Sequence, residues 1–270
     1  MGKLRLAVVT DIHYGFDVGN KLGSKGPRLM DAFTRAVNKY KPDCVVDMGD
    51  RISCRNRDMD MGYLRQVKDH FNAIAAPIHH MIGNHDAKFM TREDNESITG
   101  SPGTSYSRDY NGYHLVFWNP NVNITNQQGL RLSPEEIEWL RADIAATDKP
   151  VILFSHVPLD NDPKDYEDET KEYAGIAGRF YYGQGQDVRQ MLEKSGKVML
   201  CMAGHRHTKR HREINGIHYI TQQSMTSAWK GSRRPTGTYA NVEIEGDKIA
   251  IMLKGADKTR FDLTGRTPAL

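Results

Sequence analysis

Five apolar runs of this chain each end on a carboxylate, an imidazole or an amide, and that repetition constrains the fold more than any other feature. LRLAVVT (4–10) leads to Asp11 and His13, DCVVDM (43–48) to Gly49-Asp50, and PIHHMI (77–82) to Gly83-Asn84-His85-Asp86. PVILFS (150–155) leads to His156, and KVMLCMA (197–203) to Gly204-His205-Arg206-His207. Continuous apolar runs suit strands covered on both faces, as in parallel sheets flanked by helices. In an open α/β sheet the ligand crevice lies beyond the carboxyl ends of the strands. The polar residues are therefore expected to meet in one place, although they are far apart in the sequence.

Helical periodicity fills the intervals. Leu29, Phe33, Val37 and Tyr40 share one face and Pro42 closes that segment; Leu64, Val67, Phe71 and Ile74 share another. In SPEEIEWLRADIAA, Ser133 is the N-cap, Pro134 suits the first helical position and Glu136 completes a capping box. QDVRQMLEKSG offers Val188, Met191 and Leu192, with Gly196 as the stop. Further strands are expected at 113–118, 216–222, 238–244 and 248–254, with Asn215-Gly216 as a tight turn. Alternation followed by a strand-rich end implies βαβ units, a mostly parallel sheet and an antiparallel portion. The expected organisation is a single domain over 1–254. Irregular stretches are expected at 88–112 and 157–186, the second as a lid, with a loose polar tail at 255–270.

Bulk properties narrow the class. With 38% apolar and 26% charged residues and a net charge of +3, the 270-residue chain reads as soluble and globular. The charge is mixed in sign and modest, which argues against nucleic acid as a partner. Three cysteines without a C-x-x-C pair (Cys44, Cys54, Cys201) argue against a disulfide framework and for a reducing, cytoplasmic setting. LRLAVV is too short and too soon interrupted by Asp11 for a signal segment, and no stretch approaches a membrane span.

The strand-end inventory is Asp11, His13, Asp50, Asn84, His156, His205 and His207, with His85 beside them. That is more than one four-coordinate ion needs, and it suits two ions sharing a carboxylate. Taken singly, Asp-x-His reads as a surface pair, Gly-Asn-His-Asp as a turn and Gly-His-x-His as a loop. Together, in order and all at strand ends, they read as a dinuclear metal site. His79, His80 and His218 lie inside strand runs and read as packing residues; His211, near the last motif, is a candidate to support it.

These motifs, TDIH, MGD, GNHD, SH and GHRH, resemble the signature of the calcineurin-like metallophosphoesterase superfamily across residues 11–207. The resemblance implies a four-layer α/β/β/α sandwich with two mixed β-sheets. It implies one metal on Asp11, His13, Asp50 and His207 and a second on Asp50, Asn84, His156 and His205, with Asp50 bridging. It gives His85 and Asp50 catalytic roles: His85 faces the substrate as proton donor or charge stabiliser, while Asp86 orients its neighbours. The phosphoprotein phosphatase branch carries a second aspartate, Gly-Asp-x-x-Asp, that orients the substrate-facing histidine; here Ser53 stands there, which argues against a protein phosphatase. The layout is closest to small bacterial class III cyclic-nucleotide-type phosphodiesterases and their nucleotide-diphosphate-cleaving relatives.

Two ions ~3.5–4 Å apart can hold a bridging water as hydroxide and brace the attacking and leaving oxygens of an in-line displacement. His85 would then assist the leaving group. The expected cofactors are two divalent ions (Mn, Fe or Zn), and the expected substrate is a small phosphodiester: a cyclic nucleotide, a nucleotide diphosphate or a glycerophosphodiester. A phosphomonoesterase on the same site and a non-catalytic scaffold of this fold are the alternatives. Arg179, Tyr181 and Tyr182 are candidate substrate contacts, by charge and by stacking on a base; Arg51 and Arg206 are candidates to offset phosphate charge. No membrane partner is expected, and a homodimer or higher homo-oligomer is expected by analogy.

Overall fold

β1 (Leu4–Val9) is buried on both faces, and its alternation builds two layers at once. Leu4, Leu6 and Val8 enter one core, while Ala7 and Val9 pack with Phe33 and Val37 of α1 (Gly26–Tyr40) and with Val67 and Phe71 of α2 (Arg57–Asn72). The computed structural model describes residues 1–124, 129–160 and 179–266.

The first sheet contains β1, β4 (Cys44–Asp47), β5 (Ile78–His80), β12 (Tyr239–Glu245), β13 (Lys248–Lys254) and β14 (Thr259–Thr264), in the order β14-β13-β12-β1-β4-β5. The second contains β6 (Tyr106–Tyr110), β7 (Tyr113–Trp118), β8 (Val151–Ser155), β9 (Val198–Ala203), β10 (Arg210–Ile214) and β11 (Ile217–Thr221), in the order β10-β11-β9-β8-β7-β6. β1, β4 and β5 are mutually parallel, as are β7, β8, β9 and β11; both sheets become antiparallel toward an edge. A two-stranded hairpin, β2 (Asp17–Val18) with β3 (Lys21–Leu22), stands apart.

Leu6, Val8 and Val46 of one sheet meet Leu115, Phe117, Phe154 and Met202 of the other in the central core. On the outer side of the second sheet, Leu140 and Ile144 of α4 (Pro134–Ala145) and Val188 and Leu192 of α5 (Gly185–Ser195) cover Trp118, Leu153 and Val198. The layers are thus α/β/β/α. Each buried aliphatic side chain contributes ~1.5–3 kcal/mol relative to exposure, which is why both faces of the parallel strands are apolar. The expected capping box of α4 is present, Ser133 accepting from Glu136 N and Glu136 from Ser133 N. Gly196 ends α5 with φ 69°, and Asn215-Gly216 closes the β10–β11 hairpin with φ 50° and 76°.

Two expectations are corrected. The 88–112 stretch is not irregular: it holds α3 (Arg92–Thr99), opened by a Thr91–Asp94 capping box, and edge strand β6. β6 is YSRDY, half exposed and polar, so it lacks the apolar run that marks the central strands. The tail expected at 255–270 contributes β14, whose Phe261 and Leu263 pack against the central core while Asp262 between them faces solvent. Of the lid expected at 157–186, residues 161–178 lie outside those described; Val157 and Leu159 are buried in the core under the second sheet. No described helix is long and apolar enough to cross a membrane.

Candidate metal centre

The carboxyl ends of β1, β4, β5, β8 and β9 converge, and two donor groups form there. Asp11, His13, Asp50 and His207 offer ligand atoms within 4.8 Å of one another; Asp50, His156 and His205 do the same. Asp50 belongs to both. The Nε2 atoms of His13 and His207 face each other at 2.9 Å, with Asp11 Oδ1 3.1 Å from His207 and Asp50 Oδ2 3.8 Å from His13. His156 Nε2 lies 3.5 Å from Asp50 Oδ1 and 3.2 Å from Asn84 Oδ1, so Asn84 joins the second group.

The backbone is bent to make this convergence. Nine non-glycine residues among those described have positive φ, and five are Asp11, His13, Asp50, His205 and His207. A left-handed residue costs of order 1–3 kcal/mol, and such strain concentrates where side chains must be aimed at a ligand. Two motif glycines are required by close approach. A Cβ on Gly83 would run into the Asp50 carboxylate, and one on Gly204 into Thr10 Oγ1 and the Asp11 carboxylate.

Neighbouring groups fix the imidazoles. His156 donates from Nδ1 to the Met48 carbonyl at 2.9 Å, which turns Nε2 toward Asp50 and Asn84. His205 donates from Nε2 to the Arg179 carbonyl at 2.9 Å, so the lone pair of its neutral ring is on Nδ1. Ser227 Oγ lies 3.2 Å from His207 Nδ1. His13 Nδ1 is buried with no hydrogen-bond partner among the described residues.

The electrostatics suit a cation. Burial alone would raise the Asp50 carboxyl, but His156, His85 and His13 together hold it well below the usual range; Asp11 is likewise held low, chiefly by His207, against its own burial. Burial, reinforced by neighbouring imidazoles, depresses His13, and it depresses His205 to about 3. His156 goes the other way, to about 9: its burial is outweighed by Asp50 and Asp11. Two ionised carboxylates, an amide oxygen and imidazole nitrogens turned inward are the donor set of a divalent ion pair, which would take the place of the proton that Asp50 and Asp11 favour on His156; the residues present fit it.

Behind the centre lies a buried polar network. The Asp86 carboxylate, fully buried, accepts from the backbone N–H of Asp50 (2.8 Å), Arg51 (2.9 Å) and Gly83 (2.9 Å). Arg51 is also buried; its guanidinium reaches Asp47 (3.3 Å), Asp86 (3.3 Å) and Asn95 (2.9 Å). Arg51 is thus a structural cation facing inward, not a phosphate contact. His80 closes the network on Asp47 at 2.9 Å.

Other candidates fall elsewhere. The Tyr182 ring is fully buried against Trp118, centroids 5.9 Å apart, and offers a base no free face. Tyr181 is equally buried, under the Arg206 guanidinium (4.9 Å), its hydroxyl accepting from Arg210 (3.1 Å). Both were attractive by composition, but aromatic residues beside a crevice are as useful to the core as to a ligand. Arg179 is exposed and its charge reaches Lys21. Asp160 is buried beside Arg210 and Arg212. His211 pairs with His218 at 3.2 Å, away from the centre, and His79 stacks on Phe117 at 4.1 Å.

Three residues at the centre carry no motif signal. Cys54 Sγ is 2.9 Å from His85 Nδ1, Lys21 Nζ is 3.2 Å from His85 Nε2, and Ser227 supports His207. Ser53 donates to the His13 carbonyl, so the partner of His85 comes one residue later and is a thiol. Burial pushes that thiol up to about 11 and His85 down to about 4, so both are neutral in this arrangement.

Comparison with known proteins agrees with this geometry. Residues 4–209 match the calcineurin-like phosphoesterase family. A "Manganese-dependent ADP-ribose/CDP-alcohol diphosphatase" of Bos taurus is 23% identical, over 79% of this chain and 77% of that protein. The Homo sapiens protein of the same name is 22% identical, over 79% and 75%. The crystal structure of a dimetal phosphatase from Danio rerio superposes with a TM-score of 0.76 at 17% identity, covering 98% of this chain and 99% of that one. A match spanning most of the chain and carrying all five motifs places this protein in the calcineurin-like phosphoesterase family.

Proposed function

We propose that this metal-dependent phosphoesterase is a diphosphatase that cleaves the phosphoanhydride bond of nucleotide diphosphates of the ADP-ribose or CDP-alcohol kind, with manganese as its metal. The observation that carries the dinuclear reading is that Asp50 belongs to two donor groups at once. The substrate class is supported by relatives that bear that activity in their names and align over about four-fifths of the chain.

Asp11, His13, Asp50 and His207 would hold one ion, and Asp50, Asn84, His156 and His205 the other. When bound, the ion pair generates a nucleophile from water at neutral pH and offsets the charge on the phosphate oxygens. The protein supplies the rest. Asp86 clamps the Asp50 and Gly83 loops together through three N–H groups, fixing the bridging carboxylate. His85, with 24% of its side chain exposed and Nε2 4.0 Å from Asp50, would face the reacting phosphate as a neutral imidazole that orders the charges around it. Arg179, exposed and with its carbonyl held by His205, would attract an anionic substrate by its charge. The thiols Cys44, Cys54 and Cys201 are free, which supports a reducing compartment such as the cytoplasm.

The test is hydrolysis by manganese-loaded protein of ADP-ribose, CDP-choline, bis-p-nitrophenyl phosphate and p-nitrophenyl phosphate, with products identified by phosphorus NMR. Chelator-sensitive release of AMP or CMP is expected. Turnover of the monoester alone would overturn the diphosphatase reading in favour of a phosphomonoesterase.

A further inference from the structure

We propose that Lys21 binds the departing phosphate of the diphosphate substrate, placing a fixed positive charge beside His85 at the mouth of the metal centre. This rests on the diphosphatase reading above and extends it to a residue outside every motif.

Lys21 is not a loose surface lysine. It sits on β3 of the small hairpin, and that hairpin is tied down on both sides. Leu22 N donates to the Thr226 carbonyl at 2.9 Å, Ala228 N donates to the Asn20 carbonyl at 2.7 Å, and Lys21 itself pairs with Ser227 in an antiparallel bridge. Gly23, which follows β3, lies so close to the His13 and Phe16 carbonyls and to Ser53 that a Cβ would collide with all three. The hairpin is therefore packed directly on the loop that carries His13. The 226–228 segment that holds it also carries Ser227, the support of His207. Lys21 is thus positioned by the same elements that position the metal donors.

Its ammonium donates to His85 Nε2 at 3.2 Å, which leaves Nδ1–H to point at the Cys54 sulfur at 2.9 Å. The sulfur is a neutral partner where a carboxylate would bring a negative charge. On its Nε2 side His85 thus meets the Lys21 ammonium as well as the Asp50 carboxylate 4.0 Å away. Burial lowers the Lys21 pKa, opposed by attraction to Asp50 and Asp11, which places its charge within reach of the centre.

The chemistry asks for such a charge. Water attacks one phosphorus, a new P–O bond forms to the water oxygen, and the P–O bond to the anhydride oxygen breaks. The anhydride oxygen keeps the electron pair and leaves as a terminal oxygen of the second phosphate monoester. The water protons end on the two phosphates or in solvent. A phosphate is a good leaving group that needs charge compensation more than a proton. An ammonium held by a rigid hairpin provides it without reorganisation. A nitrophenolate leaving group spreads its charge over the ring and carries no phosphate for Lys21 to hold.

The experiment compares wild-type, Lys21→Met and Lys21→Arg proteins, manganese-loaded, on ADP-ribose, CDP-choline and bis-p-nitrophenyl phosphate. Bound metal and unfolding midpoint are measured on each. Calorimetry of AMP binding gives a readout independent of turnover. Lys21→Met is expected to lose about 10²–10³-fold in kcat/KM on both diphosphates. It should lose markedly less on bis-p-nitrophenyl phosphate than on the diphosphates, keep its metal content near wild type, and bind AMP more weakly. Lys21→Arg should recover part of the loss. Equal losses on all substrates, or none, overturn the proposal. Wild-type protein that cleaves the nitrophenyl diester but neither diphosphate overturns the diphosphatase reading, and the role of Lys21 falls with it.

Discussion

Replacing Asp86 by asparagine tests whether the buried network, rather than the donors alone, holds the centre together. The side chain is fully buried, and its two oxygens accept three backbone N–H bonds at 2.8–2.9 Å while facing the Arg51 guanidinium at 3.3 Å. Asparagine has nearly the same shape but turns one acceptor into an NH2. At least one N–H then meets a donor, at a cost of ~1–3 kcal/mol for the unsatisfied group, and a charge-assisted bond worth ~1.5–3 kcal/mol is lost. Arg51 retains Asp47 but loses half of its buried counter-charge, so the total is set at about 3–5 kcal/mol, the range for breaking a buried pair. This is a large part of the ~5–15 kcal/mol stability of an ordinary domain. Urea unfolding of metal-free protein at pH 8 should show the loss as a lowered midpoint at unchanged slope. Because the loops carrying Asp50 and Asn84 are no longer clamped, manganese affinity should fall ~10–100-fold as well. A stability loss under about 1 kcal/mol with manganese affinity unchanged would refute the reasoning, since it would mean the three N–H groups find other partners.

Other perturbations should separate core residues from site residues. Gly204→Ala places a Cβ against Thr10 and the Asp11 carboxylate; equilibrium dialysis should show manganese affinity lowered by at least ~10-fold, and wild-type affinity would contradict the assigned close approach. Tyr182→Phe removes a hydroxyl that is buried without a hydrogen-bond partner among the described residues; kcat/KM should stay within about twofold of wild type and stability should not fall, since no bond is lost. His114 is raised above its ordinary value by hydrogen bonding to Asp143 and then Asp109, against its burial. A raised histidine stabilises fully below its unfolded pKa of about 6.5 and loses that contribution as pH rises through its folded value. His114→Gln should therefore destabilise more at about pH 5.5 than at about pH 9 in thermal unfolding, and an equal or reversed effect would exclude the pair as a source of stability.

Much of the fold was legible because its central strands are buried on both sides. β1, β4, β7, β8 and β9 announce themselves as apolar runs, and the polar residues that follow β1, β4, β8 and β9 mark the crevice. The edges were not legible for the opposite reason. β6 and β14 bury only one face, so YSRDY and TRFDLT read as polar loop and tail. That β12, β13 and β14 return to the first sheet rather than extend the second rests on the antiparallel joining of β12 to β1, a long-range pairing of Leu4 with Ile244 that no local pattern encodes. At the site, residues with motif spacing were found together. Residues that serve them through one hydrogen bond, such as Cys54, Lys21 and Ser227, were invisible, because their partners lie 20 to 64 positions away. Arg51, flanking Asp50 in sequence, turns away from the crevice into Asp47 and Asn95; adjacency in the chain does not fix which way a side chain faces.

The central claim is a pair of ions joined through Asp50. Electron paramagnetic resonance of protein loaded with manganese, alongside elemental analysis, tests it most directly. The account predicts two manganese per chain with the spectrum of an exchange-coupled pair, and loss of the coupling in Asp50→Asn. One manganese per chain, or two with the spectra of isolated ions, would contradict it.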